Sequence, residues 1–193
     1  LVGTTATLPL ISCCKGTEII APQQYHQDIQ DHINLIERFT GNTTAGICKI
    51  AMYDEEPRKG IAGYYDGFTS EIHMRHSYPL PYWSMAKSAL NISTSTLLTH
   101  EMGHHWRLDE YETIFLAELF QYHAILKLFP DRHPFTHNKN VIMRHRFLNK
   151  QYIHDTDLLI LRDKGVLTPK SMKFCQYDNL KQQLEEWEKR WKE

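Results

Sequence analysis

The sequence lacks several features that would assign it to a common class at once. Its four cysteines include no Cys-x-x-Cys pair, which excludes a thiolate zinc ribbon, and we expect Cys48 and Cys175 to be buried free thiols rather than a bridge. No run of about 18 apolar residues occurs, so no transmembrane helix is predicted. A net charge of −1 gives no indication of nucleic acid as a partner.

The composition is that of an ordinary globular protein. The chain has 193 residues, of which 41% are hydrophobic and 23% charged, enough for one domain with its own core. We expect an N-terminal arm over 1–22 and a single domain over 23–193. Residues 10–13 resemble a lipoprotein cleavage box, so a lipid anchor at Cys13 is an alternative to a plain arm and favours a secreted or cell-envelope location.

The hydrophobic pattern predicts an α+β fold. Apolar residues at helical spacing over 23–39 predict a helix, and three short strands are predicted over 45–53, 61–65 and 70–76. Asp109 and Glu112 have the spacing of a capping box at a helix start. The C-terminal half is predicted to be helical over 94–107, 109–129, 155–165 and 178–192.

A cluster of titratable residues lies on the predicted helix 94–107, in the stretch TLLTHEMGHHWR. His100, Glu101 and His104 form the pattern His-Glu-x-x-His. Residues four apart share a helix face, so both imidazoles can reach one Zn²⁺, and Glu101 can take a proton from a metal-bound water. Burying these groups beside Leu97 and Leu98 without a partner would be costly, which favours a metal.

The motif resembles the active-site helix of the zincin metallopeptidases. This resemblance implies a zincin-like fold, Zn²⁺ as cofactor and a peptide or protein as substrate, with Glu101 as the catalytic residue. It also implies a small sheet packed on the helix, with an edge strand that binds substrate in an extended conformation. Residues 71–76 are similar in placement to that strand, and a plain edge strand is the alternative.

The third zinc ligand has several candidates. In the metzincin pattern, Arg107 stands where a glycine is expected and Glu110 where the third histidine is expected, so we set that subgroup aside. The gluzincin pattern takes a glutamate from the next helix, which leaves Glu110, Glu112 and Glu118. If the chain reverses near residue 108, helical rise places the metal about 9 Å from the turn, which favours Glu118.

The wider stretch 70–125 is similar to the aminopeptidase-type gluzincins. Their motif continues with x-Trp, as in His105-Trp106, and a later helix carries Leu-x-Glu followed by aromatics, as in 116–122. That similarity implies His100, His104 and Glu118 as the metal ligands and leaves His105 outside the site. Candidates for stabilising an oxyanion are Tyr122, His123, His137 and His145.

We therefore expect a zinc-dependent peptidase that hydrolyses peptide bonds through a water activated by Glu101. One alternative is a non-catalytic zincin-fold subunit that acts as a binding or assembly module in a larger complex. Another is a structural zinc site, which needs a fourth protein ligand, with His123 as the first suspect.

Overall fold

Helices and strands follow one another in an α+β order, as the sequence predicts. The computed structural model describes residues 16–75, 92–128 and 155–175, together with the isolated helical residues 182, 185, 186 and 189. The elements are β1 (Glu18–Ile20), α1 (His26–Thr40), β2 (Lys49–Tyr53), β3 (Gly63–Asp66), β4 (Glu71–Arg75), α2 (Ile92–His105), α3 (Glu110–Leu128), α4 (Asp155–Asp163) and α5 (Pro169–Cys175).

The four strands form one mixed sheet in the order β1-β2-β4-β3. β1 runs parallel to β2, β2 runs parallel to β4, and β3 lies antiparallel on the outside of β4. The prediction that residues 71–76 form an edge strand is therefore wrong, because β4 has a neighbour on both sides. The edge beside β4 is β3, and β1 is a three-residue strand within the predicted N-terminal arm.

The core lies between one face of the sheet and the helices. In β4, Ile72 and Met74 are fully buried while the residues between them are partly exposed, which is the alternation that the sequence predicted. α1 adds a stripe of apolar residues at helical spacing. The largest fully buried side chains of the described residues are Phe120, Ile29, Ile36, Ile47, Ile50, Ile72, Met74, Leu98 and Met102.

Two predicted helix boundaries are confirmed by their local contacts. The backbone N–H of Glu112 donates to Asp109 Oδ1 at 2.9 Å, and the N–H of Asp109 donates to Glu112 Oε1 at 3.2 Å, so the capping box of α3 is present. Gly165 follows α4 with a φ of 72°, and its N–H donates to the carbonyl of Arg162.

The expectation of a free thiol at Cys48 is wrong, because Cys48 is disulfide-bonded. The side chains of the other three cysteines lie outside the described residues, as does the proposed lipid anchor at Cys13. The predicted helix over 178–192 also lies largely outside them. Within the described ranges, none of the helices is long and apolar enough to cross a membrane.

α2 and α3 approach each other closely at Gly103. A Cβ atom at this position would lie 2.5 Å from Cγ2 and 3.2 Å from Cβ of Thr113, a side chain with no exposed surface. The Thr113 hydroxyl donates to the carbonyl of Glu110 at 2.9 Å, so this buried side chain cannot turn away without losing that bond. Gly103 therefore allows the contact between the two helices.

We expect Gly103→Ala to lower the free energy of unfolding by about 1 kcal/mol, because overpacking costs about 1–3 kcal/mol and exceeds the gain of about 1 kcal/mol in helix propensity. Adding Thr113→Ser to the Gly103→Ala variant removes the clashing methyl group and should restore most of the lost stability. Gly67→Ala is the control, since its Cβ would meet only Tyr65 Cε1, at 3.9 Å. Urea denaturation measures all four proteins. A stabilised Gly103→Ala variant would show that the helix contact is not tight.

Candidate functional site

The His-Glu-x-x-His residues lie in the last turns of α2, close to its end at His105. Ligand atoms of His100, Glu101 and His104 all lie within 4.8 Å of one another. The Nε2 atoms of the two histidines are 3.2 Å apart, and both rings are partly exposed. The predicted grouping of the two imidazoles on one face of a helix, with Glu101 beside them, is present in the structure.

A backbone contact sets the tautomer of His104. Its Nδ1 lies 3.3 Å from the carbonyl oxygen of Leu108, and a carbonyl can only accept. Nδ1 therefore carries the hydrogen, and the lone pair is on Nε2, the atom that faces His100. A backbone carbonyl on the far nitrogen is the usual way in which a ligating imidazole is oriented.

The chain reverses sharply after α2, at Arg107. The N–H of Arg107 donates to the carbonyl of His104, and the N–H of Leu108 donates to that of Gly103 at 3.0 Å. Arg107 has a φ of 63°, the left-handed conformation that usually requires glycine. The turn therefore forms with an arginine at the position where the metzincin pattern has a glycine.

This turn brings Glu110 back to the two imidazoles. Its Oε1 lies 3.3 Å from Nε2 of His100, and its Oε2 lies 3.3 Å from Nε2 of His104. Two nitrogens and a carboxylate thus converge on one point. The Glu110 side chain is 69% exposed, so solvent reaches the site from its side.

Glu118, the predicted third ligand, does not join this group. It is a half-buried residue of α3 with its own contacts, and among the described residues the two imidazoles form their ion pairs with Glu110 and not with Glu118. The sequence analysis expected the metal about 9 Å from the turn, measured along the helices. His104 instead hydrogen-bonds to Leu108 and lies level with the turn, so the first residue of α3 is the one within reach.

Glu112, another candidate, holds the start of α3 instead of facing the histidines. Lys164 Nζ lies 2.6 Å from the Glu112 carboxylate, which also accepts from the N–H of Asp109. This carboxylate is nearly buried, so the pair is weakly screened. It ties the first turn of α3, which carries Glu110, to the end of α4.

The separation between the two imidazole nitrogens matches that of a small tetrahedral metal site. Bonds of about 2.0–2.1 Å in tetrahedral geometry place ligand atoms about 3.3 Å apart. The Nε2 atoms of His100 and His104 are 3.2 Å apart, and each lies 3.3 Å from a different oxygen of the Glu110 carboxylate, so this carboxylate faces both imidazoles at once. Burial lowers the pKa of His100, which favours the neutral form that binds metals. These three residues could hold a metal ion.

Glu101 has a different environment from Glu110. Its side chain is almost fully buried, and burial together with the negative Glu110 raises its pKa to about 7. The backbone N–H of Tyr65, which points toward its carboxylate, opposes part of this rise in pKa. A carboxyl group with a pKa near 7 can both accept and release a proton at neutral pH.

The edge strand β3 lies directly beside Glu101. A Cβ atom on Gly63 would be 3.1 Å from Glu101 Oε1 and 3.2 Å from Leu97 Cδ2, so the strand and the helix approach each other closely here. The Arg75 N–H donates to the carbonyl of Ala62, and the register pairs Tyr64 with His73. By strand alternation the backbone groups of Gly63 and Tyr65 therefore point away from β4, toward the edge of the sheet on which none of the described strands pairs.

Of the other sequence candidates, the structure describes the side chain of His123 alone. The ring of His123 stacks on Phe39 at 4.6 Å, so it packs against α1 rather than serving as a fourth ligand. The side chain of Tyr122 and the residues His137 and His145 lie outside the described residues. Comparisons with known proteins add no family, since no family model, no curated protein and no solved structure matches the chain significantly.

We expect Arg107→Gly to raise the free energy of unfolding by about 1 kcal/mol, because the left-handed conformation costs an L-residue about that much and glycine nothing. Arg107→Val should be destabilising, since β-branched residues tolerate this conformation worst. The matched control is Arg162→Gly in α4, where the same change should lose about 1 kcal/mol. Denaturant titration compares the three; a loss of stability in Arg107→Gly would argue against the turn described.

Proposed function

We propose that the protein is a zinc-dependent peptidase with a zincin-like arrangement, in which His100, His104 and Glu110 hold Zn²⁺ and Glu101 is the general base. The observation that carries the proposal is the convergence of two imidazole nitrogens, 3.2 Å apart, on a carboxylate that presents one oxygen to each of them at 3.3 Å, beside a buried glutamate. Glu110 replaces Glu118 as the proposed third ligand. Three protein ligands leave a fourth position open, as catalytic zinc requires.

The chemistry divides between the ion and the residues around it. Zn²⁺, when bound, lowers the pKa of water and polarises a carbonyl oxygen. Glu101 accepts the proton of the attacking water and passes it to the leaving amine, a role suited to a pKa of about 7. His104 keeps its tautomer through Leu108, and Lys164 holds the helix turn that carries Glu110 through Glu112.

The edge of β3 supports a peptide as the substrate. At this edge, which no described strand covers, Gly63 offers an N–H and a carbonyl and Tyr65 offers a carbonyl. An extended peptide can add to such an edge by main-chain hydrogen bonds, which would place its backbone next to Glu101. The disulfide at Cys48 supports the expected secreted or cell-envelope location, because disulfides persist in oxidising compartments.

Metal analysis tests the ligand assignment. We expect the purified protein to bind one zinc ion and Glu110→Ala to lose at least about tenfold in zinc affinity, since it removes a carboxylate that faces both histidines. Glu118→Ala is the matched control from the same helix and should retain zinc. Affinities are measured by competition with a chromogenic chelator. Zinc loss in Glu118→Ala with retention in Glu110→Ala would reverse the assignment.

Peptide cleavage tests the catalytic role. Glu101→Gln keeps the size of the side chain but cannot accept the proton, so we expect zinc content to be unchanged and kcat to fall by about 10²–10⁴. Cleavage of a peptide library is followed by mass spectrometry. The contradicting result is that no peptide is cleaved by the zinc-loaded wild type and left intact by Glu101→Gln. In that case the site is not catalytic, and the chain is a binding module or has a structural metal site.

A further inference from the structure

His105 directly follows the second histidine of the motif, and the sequence analysis left it outside the site. We propose that His105 is a positioning residue for Glu101 and acts through Tyr65. This inference rests on the proposed peptidase function and adds a residue to its machinery. It concerns the side of α2 that faces β3, not the side that faces the metal ligands.

Two hydrogen bonds fix the ring of His105. Its Nε2 lies 3.3 Å from the carbonyl oxygen of Ala45, and its Nδ1 lies 2.9 Å from the hydroxyl of Tyr65. The carbonyl can only accept, so Nε2 carries the hydrogen and Nδ1 is the acceptor. The Tyr65 hydroxyl therefore donates to His105, and the ring has one defined orientation.

The backbone of Tyr65 faces Glu101. Its N–H points away from β4, toward the Glu101 carboxylate, and Gly63 of the same strand lies so close to this carboxylate that an added Cβ would be 3.1 Å from Glu101 Oε1. Glu101 and His105 are four residues apart, so they share one face of α2. The strand thus lies against Glu101 with its backbone and is held by His105 at the hydroxyl of Tyr65, which defines the Glu101–Tyr65–His105 clamp.

The surroundings leave the clamp little freedom. Gly63 lies so close to α2 that an added Cβ would meet Glu101 and Leu97. On the other side of His105, the Trp106 Nε1–H donates to the carbonyl of Thr43 at 3.1 Å, which ties the end of α2 to the loop that also carries Ala45. The strand therefore cannot shift along the helix without breaking the bonds of His105.

The consequence for the reaction is a fixed carboxylate. A general base must lie within hydrogen-bond reach of the proton it takes, and a misplacement of about 1 Å can cost about a hundredfold in rate. A carboxylate that is held only by its own side-chain bonds could turn away from the metal ligands. The clamp keeps Glu101 directed to one side, and its loss should act on kcat rather than on metal binding.

Kinetics of zinc-loaded variants test the role. Tyr65→Phe removes only the hydroxyl, and His105→Ala removes both ring contacts; we expect kcat to fall about 10–100-fold in each, with KM and zinc content within about twofold of wild type. His105→Gln can still accept and donate, so it should recover part of the loss. Tyr64→Phe is the matched control, since Tyr64 stacks on His73 on the other face of the sheet. Wild-type kcat in Tyr65→Phe overturns the proposal.

Amide hydrogen exchange at Tyr65, measured by NMR, gives a readout that does not depend on cleavage. We expect slow exchange in the wild type and in Tyr64→Phe, and exchange at least about tenfold faster in Tyr65→Phe and His105→Ala at equal global stability. Equal exchange in all four proteins overturns the clamp. If the wild type cleaves no peptide, the proposed function fails, and the exchange rates alone then decide whether the clamp exists.

Discussion

The close packing of α2 against α3 at Gly103 is the contact on which both the core and the candidate site depend. Only a residue without a side chain allows Thr113 to come this near, and the sharp turn at Arg107 connects the two helices over this short distance. Because α3 starts directly beside the end of α2, its first residue, Glu110, faces the histidines of the motif. The same contact belongs to the apolar core, so the position of Glu110 follows from packing rather than from its own interactions.

The two glutamates beside the histidines differ in their exposure to solvent and therefore in their chemistry. Two glutamates and two histidines lie together, one glutamate nearly buried and the other mostly exposed. The buried Glu101 has a raised pKa because water is excluded and a second carboxylate is near, whereas Glu110 remains in contact with solvent. Two acids in different environments can take different roles, one as proton acceptor and the other as ligand. A cation between the two imidazole nitrogens and Glu110 would balance the charge that the fold brings together.

Much of the secondary structure could be predicted from local patterns. The spacing of Ile29, Ile33 and Ile36 predicts α1, and Asp109 with Glu112 predicts the start of α3, because both signals depend on residues within one or two helical turns. The strand order could not be predicted in this way. β4 alternates like a strand with one exposed face, and alternation does not tell whether a strand lies inside the sheet or at its edge. Whether Cys48 is bridged likewise depends on distant parts of the chain.

The sequence by itself determined that His100 and His104 share a helix face and that Glu101 lies beside them, because helical geometry relates residues four apart. Only the tertiary structure decided which acid completes the group. Glu110, Glu112 and Glu118 are all glutamates of one helix, and the choice among them depends on the left-handed turn at Arg107 and on the bond from His104 to Leu108. The role inferred for His105 has the same origin. Its partners, Tyr65 and Ala45, are 40 and 60 residues away in the chain and meet it only when β3 packs on α2.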